Sequence, residues 1–198
     1  MALEARREAS YDIVAIAASA GGLEAITTVL KEFAVDFPAP IVIVQHLERH
    51  HKSSMVAILA NRTELSVQEA VHGTLLRSSN VYIAPPDFHL LVDPDGRIRL
   101  TQTELVHFVR PAADVLFESV SASFGDRAIA VVLTGCGFDG AKGVTAIHEN
   151  GGFVIVQDVQ SARHSSMPAA AIKTGCADLI LPLEKVGAAI SELVAGGE

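Results

Sequence analysis

Six short runs of the chain are apolar at nearly every position: 13–18, 41–45, 81–84, 128–134, 153–157 and 179–181. A strand with one wet face alternates apolar and polar residues, so unbroken runs rich in Val and Ile predict strands covered on both faces. A weaker run lies at 66–70. Between these runs, 23–33, 53–61, 112–124, 141–149, 168–173 and 183–194 carry the three- and four-residue apolar spacing of helices. In the first of them Leu23, Ile26, Val29, Leu30 and Phe33 line one face. The pattern predicts an α/β fold: a doubly wound, mainly parallel sheet with helices on both faces, joined by right-handed crossovers. One stretch departs from the alternation. Residues 88–92 and 97–101 flank Asp93-Pro94-Asp95-Gly96, where Pro fixes φ and Gly accepts φ > 0, so one antiparallel β-hairpin is inserted there.

A chain of 198 residues suits one such sheet. The expected division is a polar tail at 1–10 followed by a single domain over 11–198. Fifteen Lys and Arg stand against 23 Asp and Glu, a net charge of −8, and aromatics make up 5%. An anionic chain poor in aromatics lacks both the basic footprint and the stacking surface of a nucleic-acid binder. Cys136 and Cys176 are too few for a disulfide framework. The tail has no apolar core of a signal peptide, and no run approaches the roughly 18–20 apolar residues of a bilayer span. The expectation is a cytoplasmic protein that does not insert into membranes.

In an open parallel sheet, ligands sit beyond the carboxyl ends of the strands. Three predicted strand ends carry chemistry. The first is Ala18-Ser19-Ala20-Gly21-Gly22, where Ser19 precedes a helix start whose free N–H groups favour negative charge. Read alone, Ser19 is a helix cap or part of a phosphate loop. The loop is neither G-x-G-x-x-G nor the G-x-S-x-G elbow, because Ala17 stands where the latter needs glycine. The second is Val44-Gln45-His46, which ends in an imidazole able to act as a base near neutral pH. With eight histidines in the chain, a histidine without a task is the simpler reading. His46 and His50 are four apart, but Glu48 is misplaced for H-E-x-x-H and no third ligand is evident, so zinc is not expected. The third is Thr134-Gly135-Cys136-Gly137-Phe138-Asp139-Gly140. Asp139 reads as a helix cap or as the group that holds a histidine by its Nδ1 proton. Lys142 lies one place late for a P-loop. Cys136 reads as a small buried hydrophobe. Together, Ser, His and Asp at three strand ends supply a nucleophile, a base and an orienting group.

At these residues the chain resembles the catalytic domain of the CheB family, the chemotaxis protein-glutamate methylesterases. The resemblance runs through residues 13–22, Val44-Gln45-His46, Tyr82-Ile83-Ala84-Pro85, the stretch from Arg110-Pro111 to Phe117, residues 131–140 and Met167-Pro168. It implies Ser19 as nucleophile, His46 as base and Asp139 as orienter. Backbone N–H groups of Ala20, Gly21 and Cys136 would hold the oxyanion, and Arg110 is assigned to substrate binding. The implied reaction is hydrolysis of glutamate γ-methyl esters on cytoplasmic helices of chemoreceptors or receptor-like proteins, without cofactor or metal. Deamidation of glutamine side chains is a second activity of the family. Where the family commonly has Gly, Thr, Met and Asn, this chain has Ala17, Ala20, Cys136 and Phe138, and these are expected at the mouth of the site. Glu48-Arg49-His50-His51 replaces the prolines that often follow the base. Relatives often carry an N-terminal phosphoacceptor receiver domain that covers the site. The ten-residue tail predicts constitutive activity instead, with a separate receiver protein in trans left open. Two rivals stand beside this reading: a non-catalytic module binding an anion or nucleotide, and a hydrolase that uses Cys136 as nucleophile.

Overall fold

The structure, a computed structural model, describes residues 11–46 and 54–196. The tail 1–10 and the segment holding Glu48, Arg49, His50 and His51 lie outside the described residues, and with them the His46/His50 zinc reading and the altered rim. Nine strands and six α-helices are described, in the order β1 (Ile13–Ala18), α1 (Gly22–Leu30), β2 (Ile41–Gln45), α2 (Met55–Ala60), β3 (Ser66–Glu69), β4 (Asn80–Ile83), β5 (His89–Val92), β6 (Ile98–Thr101), α3 (Ala113–Phe124), β7 (Ala128–Val132), α4 (Ala141–Glu149), β8 (Phe153–Gln157), α5 (Ser166–Lys173), β9 (Leu179–Leu181) and α6 (Leu183–Val194). Seven strands form one sheet in the order β3-β4-β2-β1-β7-β8-β9, and every pairing in it is parallel. The predicted hairpin is β5–β6, antiparallel and apart from the main sheet.

The two-sided burial of β1 follows from its alternation. Val14, Ile16 and Ala18 pack with α1, α2 and α6 on one face. Ile13, Ala15 and Ala17 pack with α3, α4, α5 and the hairpin on the other. Ala17 is therefore buried inside the sheet and does not line the mouth.

Local departures from the sequence reading have local causes. The first helix stops at Leu30 because Glu32 and Phe33 donate to the carbonyls of Val29 and Leu30, tightening the chain to three-residue steps. The strand expected over 128–134 leaves the ladder after Val132, where the Thr134 N–H turns to the Gln157 side-chain oxygen at 2.8 Å. The fifth helix starts two residues before Pro168, which sits in its first turn, where a missing N–H costs nothing.

β1 lies between β2 on one side and β7 on the other. The chain leaves β1 in one direction and returns to its opposite edge, so the crevice at the carboxyl end of β1 is a topological switch point. The Ser19, His46 and Asp139 loops all open there.

Candidate active site

His46 follows β2 directly, and its backbone N–H donates to the Ala18 carbonyl at 3.1 Å. This bond registers the end of β2 against the end of β1. The His46 Nε2 meets Asp139 Oδ2 at 2.7 Å, across 93 residues of sequence. The side chains are 12% and 4% exposed, so the pair is largely shielded from water. The sequence reading had Asp139 holding Nδ1; the structure puts it on Nε2. The reason is reach: Asp139 approaches the outer edge of the ring, while Nδ1 stays near the strand end from which the imidazole springs.

Asp139 is not a cap for the helix that follows it. That helix, α4, has Gly140 at its N-cap, with φ +97° and no side-chain cap. Asp139 instead accepts the first N–H groups of α3, Ala113 at 2.6 Å and Asp114 at 3.0 Å. Asp114 returns the arrangement, accepting the N–H groups of Gly140 at 2.9 Å and Gly143 at 2.8 Å. Two helix starts thus exchange carboxylate caps, each satisfying donors that the other helix cannot. Burial pushes the Asp139 carboxyl up, but the His46 hydrogen bond and the two N–H donors outweigh it and hold it below the usual carboxylate range. Asp139 is an anion facing an imidazole.

Ser19 lies just past β1 and half-buried. Its N–H donates to the Thr134 carbonyl at 3.0 Å, and its carbonyl accepts Gly22 N–H at 2.9 Å and Gln45 Nε2 at 2.7 Å. It does not cap α1, whose N-cap is Gly21 at φ +78° without a side-chain cap. Among the described residues the Ser19 hydroxyl has no hydrogen-bond partner, so the structure joins His46 to Asp139 directly and Ser19 to them only through backbone. The N–H groups of Ala20, Gly21 and Cys136 likewise donate to no described partner. The first two stand at the positive end of the α1 dipole.

Four groups that the sequence reading did not single out hold this arrangement. The Gln45 amide donates to the carbonyls of both Ser19 and His46, at 2.7 and 3.0 Å, tying the two loops together. An amide ending an otherwise apolar strand is the sequence signal by which it could have been found. Gly22 has no side chain because a Cβ there would come within 2.0 Å of the Gln45 oxygen. A Cβ on Gly135 would meet Met167 Sδ at 2.3 Å and Ser19 Cβ at 2.8 Å. Thr134 Oγ1 donates to the Ala20 carbonyl at 3.1 Å and accepts His164 N–H at 2.8 Å, pinning the serine loop to the segment before α5.

One other sequence assignment changes. Cys136 is exposed and not a buried hydrophobe, because its loop has left the sheet and no helix covers it. The Arg110 guanidinium is bound to its own surroundings, with Nε and Nη2 on Asp87 Oδ1 at 3.2 and 2.7 Å and Nη1 on the Gln102 and Thr103 carbonyls. As for metal ligands, His107, Asp114 and Asp139 are the described residues whose ligand atoms converge, all within 4.8 Å. All four carboxylate oxygens there already accept N–H bonds, which takes the place of a cation.

The chain was compared with known proteins. A family model described as CheB methylesterase matches residues 14–190. The protein-glutamate methylesterase FrzG of Myxococcus xanthus is 43% identical over 193 residues, which cover 98% of this chain and 58% of that protein. A protein-glutamate methylesterase/protein-glutamine glutaminase of Symbiobacterium thermophilum is 37% identical over 185 residues, 93% of this chain and 51% of that protein. The chain thus spans little more than half the length of these two relatives. Among solved structures, the catalytic domain of the Thermotoga maritima CheB methylesterase superposes with a TM-score of 0.89 at 36% identity, covering 94% of this chain and all of that one.

Proposed function

The chain belongs to the CheB methylesterase family, and on that footing we propose that it is a serine hydrolase removing methyl esters from glutamate side chains of chemoreceptor-type proteins. The observation that carries this reading is the shielded 2.7 Å contact between His46 Nε2 and Asp139, beside the Ser19 loop. Asp139 fixes the Nε2–H tautomer, so Nδ1 is the basic nitrogen left for Ser19. Nδ1 takes the hydroxyl proton as Ser19 Oγ bonds to the ester carbonyl carbon. The carbon–methoxy bond breaks, and the imidazolium returns its proton to the leaving methanol. Water then attacks the glutamyl-enzyme with its proton passing to His46, which frees the glutamic acid and restores Ser19. The oxyanion of each tetrahedral intermediate is held by the uncommitted N–H groups of Ala20, Gly21 and Cys136, each such donor being worth about 3 kcal/mol. Catalytic hydrogen bonds tighten in the substrate complex, which is where Ser19 Oγ reaches His46.

Arg110 serves substrate binding indirectly, by fixing the backbone at Gln102 and Thr103, because its donors are committed within the chain. The same acyl-enzyme route hydrolyses a glutamine amide with ammonia as leaving group, in line with the glutaminase named in the Symbiobacterium thermophilum relative. No cofactor enters either reaction. No helix among the described residues is long and apolar enough to cross a membrane. We place the enzyme in the cytoplasm, with residues 11–198 as one catalytic domain acting on methylated receptor helices.

The test is methanol release from a protein carrying glutamyl γ-methyl esters. The expected result is methanol equal to the carboxylates formed, insensitive to EDTA. Nucleotides that raise Tm, with no methanol released, would favour the anion-binding module instead.

A further inference from the structure

Residues 106–109 form a two-residue reverse turn. Val106 and Val109 exchange backbone hydrogen bonds of 3.2 and 2.9 Å, and both central residues have positive φ, His107 +51° and Phe108 +64°. This is the type I′ pattern, whose relaxed sequence is Asn-Gly, since side chains crowd the backbone at positive φ. Here a histidine and a phenylalanine occupy both positions. The strain gains nothing for folding at Phe108, which is 93% exposed.

The turn is held in place all the same. His107 Nε2 meets Asp114 Oδ2 at 2.8 Å, and its ring packs edge-on against Phe138 at 4.6 Å between centroids. The Asp114 backbone N–H donates to Asp139 Oδ1, and Phe138 is the residue before Asp139. Phe108 is therefore displayed at a fixed position relative to the His46–Asp139 pair. Phe138 is itself 58% exposed and Leu105 38%, so three large apolar side chains stand exposed on two loops, with Phe138 next to Asp139 in sequence. Backbone strain held by its surroundings beside a reactive pair marks a binding element.

Resting on the methylesterase reading, we infer that Phe108 and Phe138 form the docking surface for the substrate, taking the apolar residues of the methylated segment on either side of the ester glutamate. With a net charge of −8, the chain gains no long-range attraction to a glutamate-bearing segment, which leaves apolar contact as the means of recognition.

Three variants separate the ring from the strain: Phe108→Ala removes the ring, Phe108→Gly removes the ring and relaxes the turn, and Phe108→Tyr keeps the ring. KM and kcat are measured with a methyl-esterified protein and with the γ-methyl ester of an N-acyl glutamate. Both Ala and Gly should raise KM for the protein about tenfold, close to 1.4 kcal/mol, with Tyr within twofold of wild type. All three should stay within twofold of wild type on the small ester, and Phe108→Gly should also raise Tm by about 2–4 °C. Unchanged KM for the protein in Ala and Gly would overturn the docking surface and leave the methylesterase reading intact, as would an equal loss on both substrates. A wild-type protein releasing no methanol from the esterified protein would end the methylesterase reading, and the docking inference with it.

Discussion

In the proposed reaction His46 has two tasks: its Nε2 is engaged by the Asp139 carboxylate and its Nδ1 accepts the serine proton, so each ring nitrogen has one role. The proposed residues act as one unit. Ser19→Ala and His46→Ala should each lower kcat on the order of 10⁶-fold, and the double variant should be scarcely worse, since the members of a triad do not contribute additively. Asp139→Asn should cost about 10⁴-fold by freeing the wrong tautomer. Gly135→Ala is the steric counterpart. Its methyl would intrude on both Met167 Sδ and Ser19 Cβ, so kcat should fall at least tenfold in a folded protein.

Between helices, the cross-capping of α3 and α4 places Asp139 more firmly than its own loop could. Asp114→Ala removes the acceptor for Gly140 and Gly143 N–H and the partner of His107. Urea unfolding should show a loss of about 2–4 kcal/mol, two buried donors being left unsatisfied. A loss under 0.5 kcal/mol would show that the exchange of caps does not stabilise the helix pair. The elements themselves were legible in the chain. Unbroken Val/Ile runs fixed β1, β2 and β8 to the residue, and the Pro-Asp-Gly turn located the hairpin, because burial and φ preference are local. Helix ends were less so. Phe33 keeps its core contact after α1 has ended, and apolar spacing alone cannot separate a last helical turn from a three-residue one. The cap reading of Asp139 fails for a related reason: a carboxylate at a helix start reads as that helix's own cap, whereas Asp139 and Asp114 each serve the other's helix.

For the molecule as a whole, strand order does what no local pattern reveals. Placing β7 against β1 brings together residues 93 positions apart, and the alternation of strands and helices left that order open. Burial was also hard to read for loops: Cys136, among glycines, looked like a core residue and lies exposed. The fold ties stability to pH through groups on the hairpin side of the site. His89 is fully buried between the Ala112 N–H and the Glu104 carbonyl. Burial pushes its imidazole down and Arg110 adds to this, against the opposing pull of the Glu104 carbonyl and Asp139, so it stays below the usual histidine range. Its folded value lies below its unfolded one. Its contribution is therefore complete above about pH 6.5 and lost as pH falls below that, where only the unfolded chain takes the proton. Asp139, also lowered, adds a second loss below about pH 3.9. Urea unfolding should show stability falling from pH 7 to 5, with His89→Gln flattening that part of the profile. A profile flat over this range in the wild-type protein would contradict the buried neutral imidazole.

The identity of the nucleophile is tested most directly by methanol release from one methyl-esterified protein, measured with wild type, Ser19→Ala and Cys136→Ala side by side. Two side chains are the rival nucleophiles: Ser19, at the end of β1, and Cys136, exposed in the loop after β7. The account predicts methanol from wild type and Cys136→Ala at comparable rates, and none above background from Ser19→Ala. Sustained release by Ser19→Ala with loss in Cys136→Ala would contradict it.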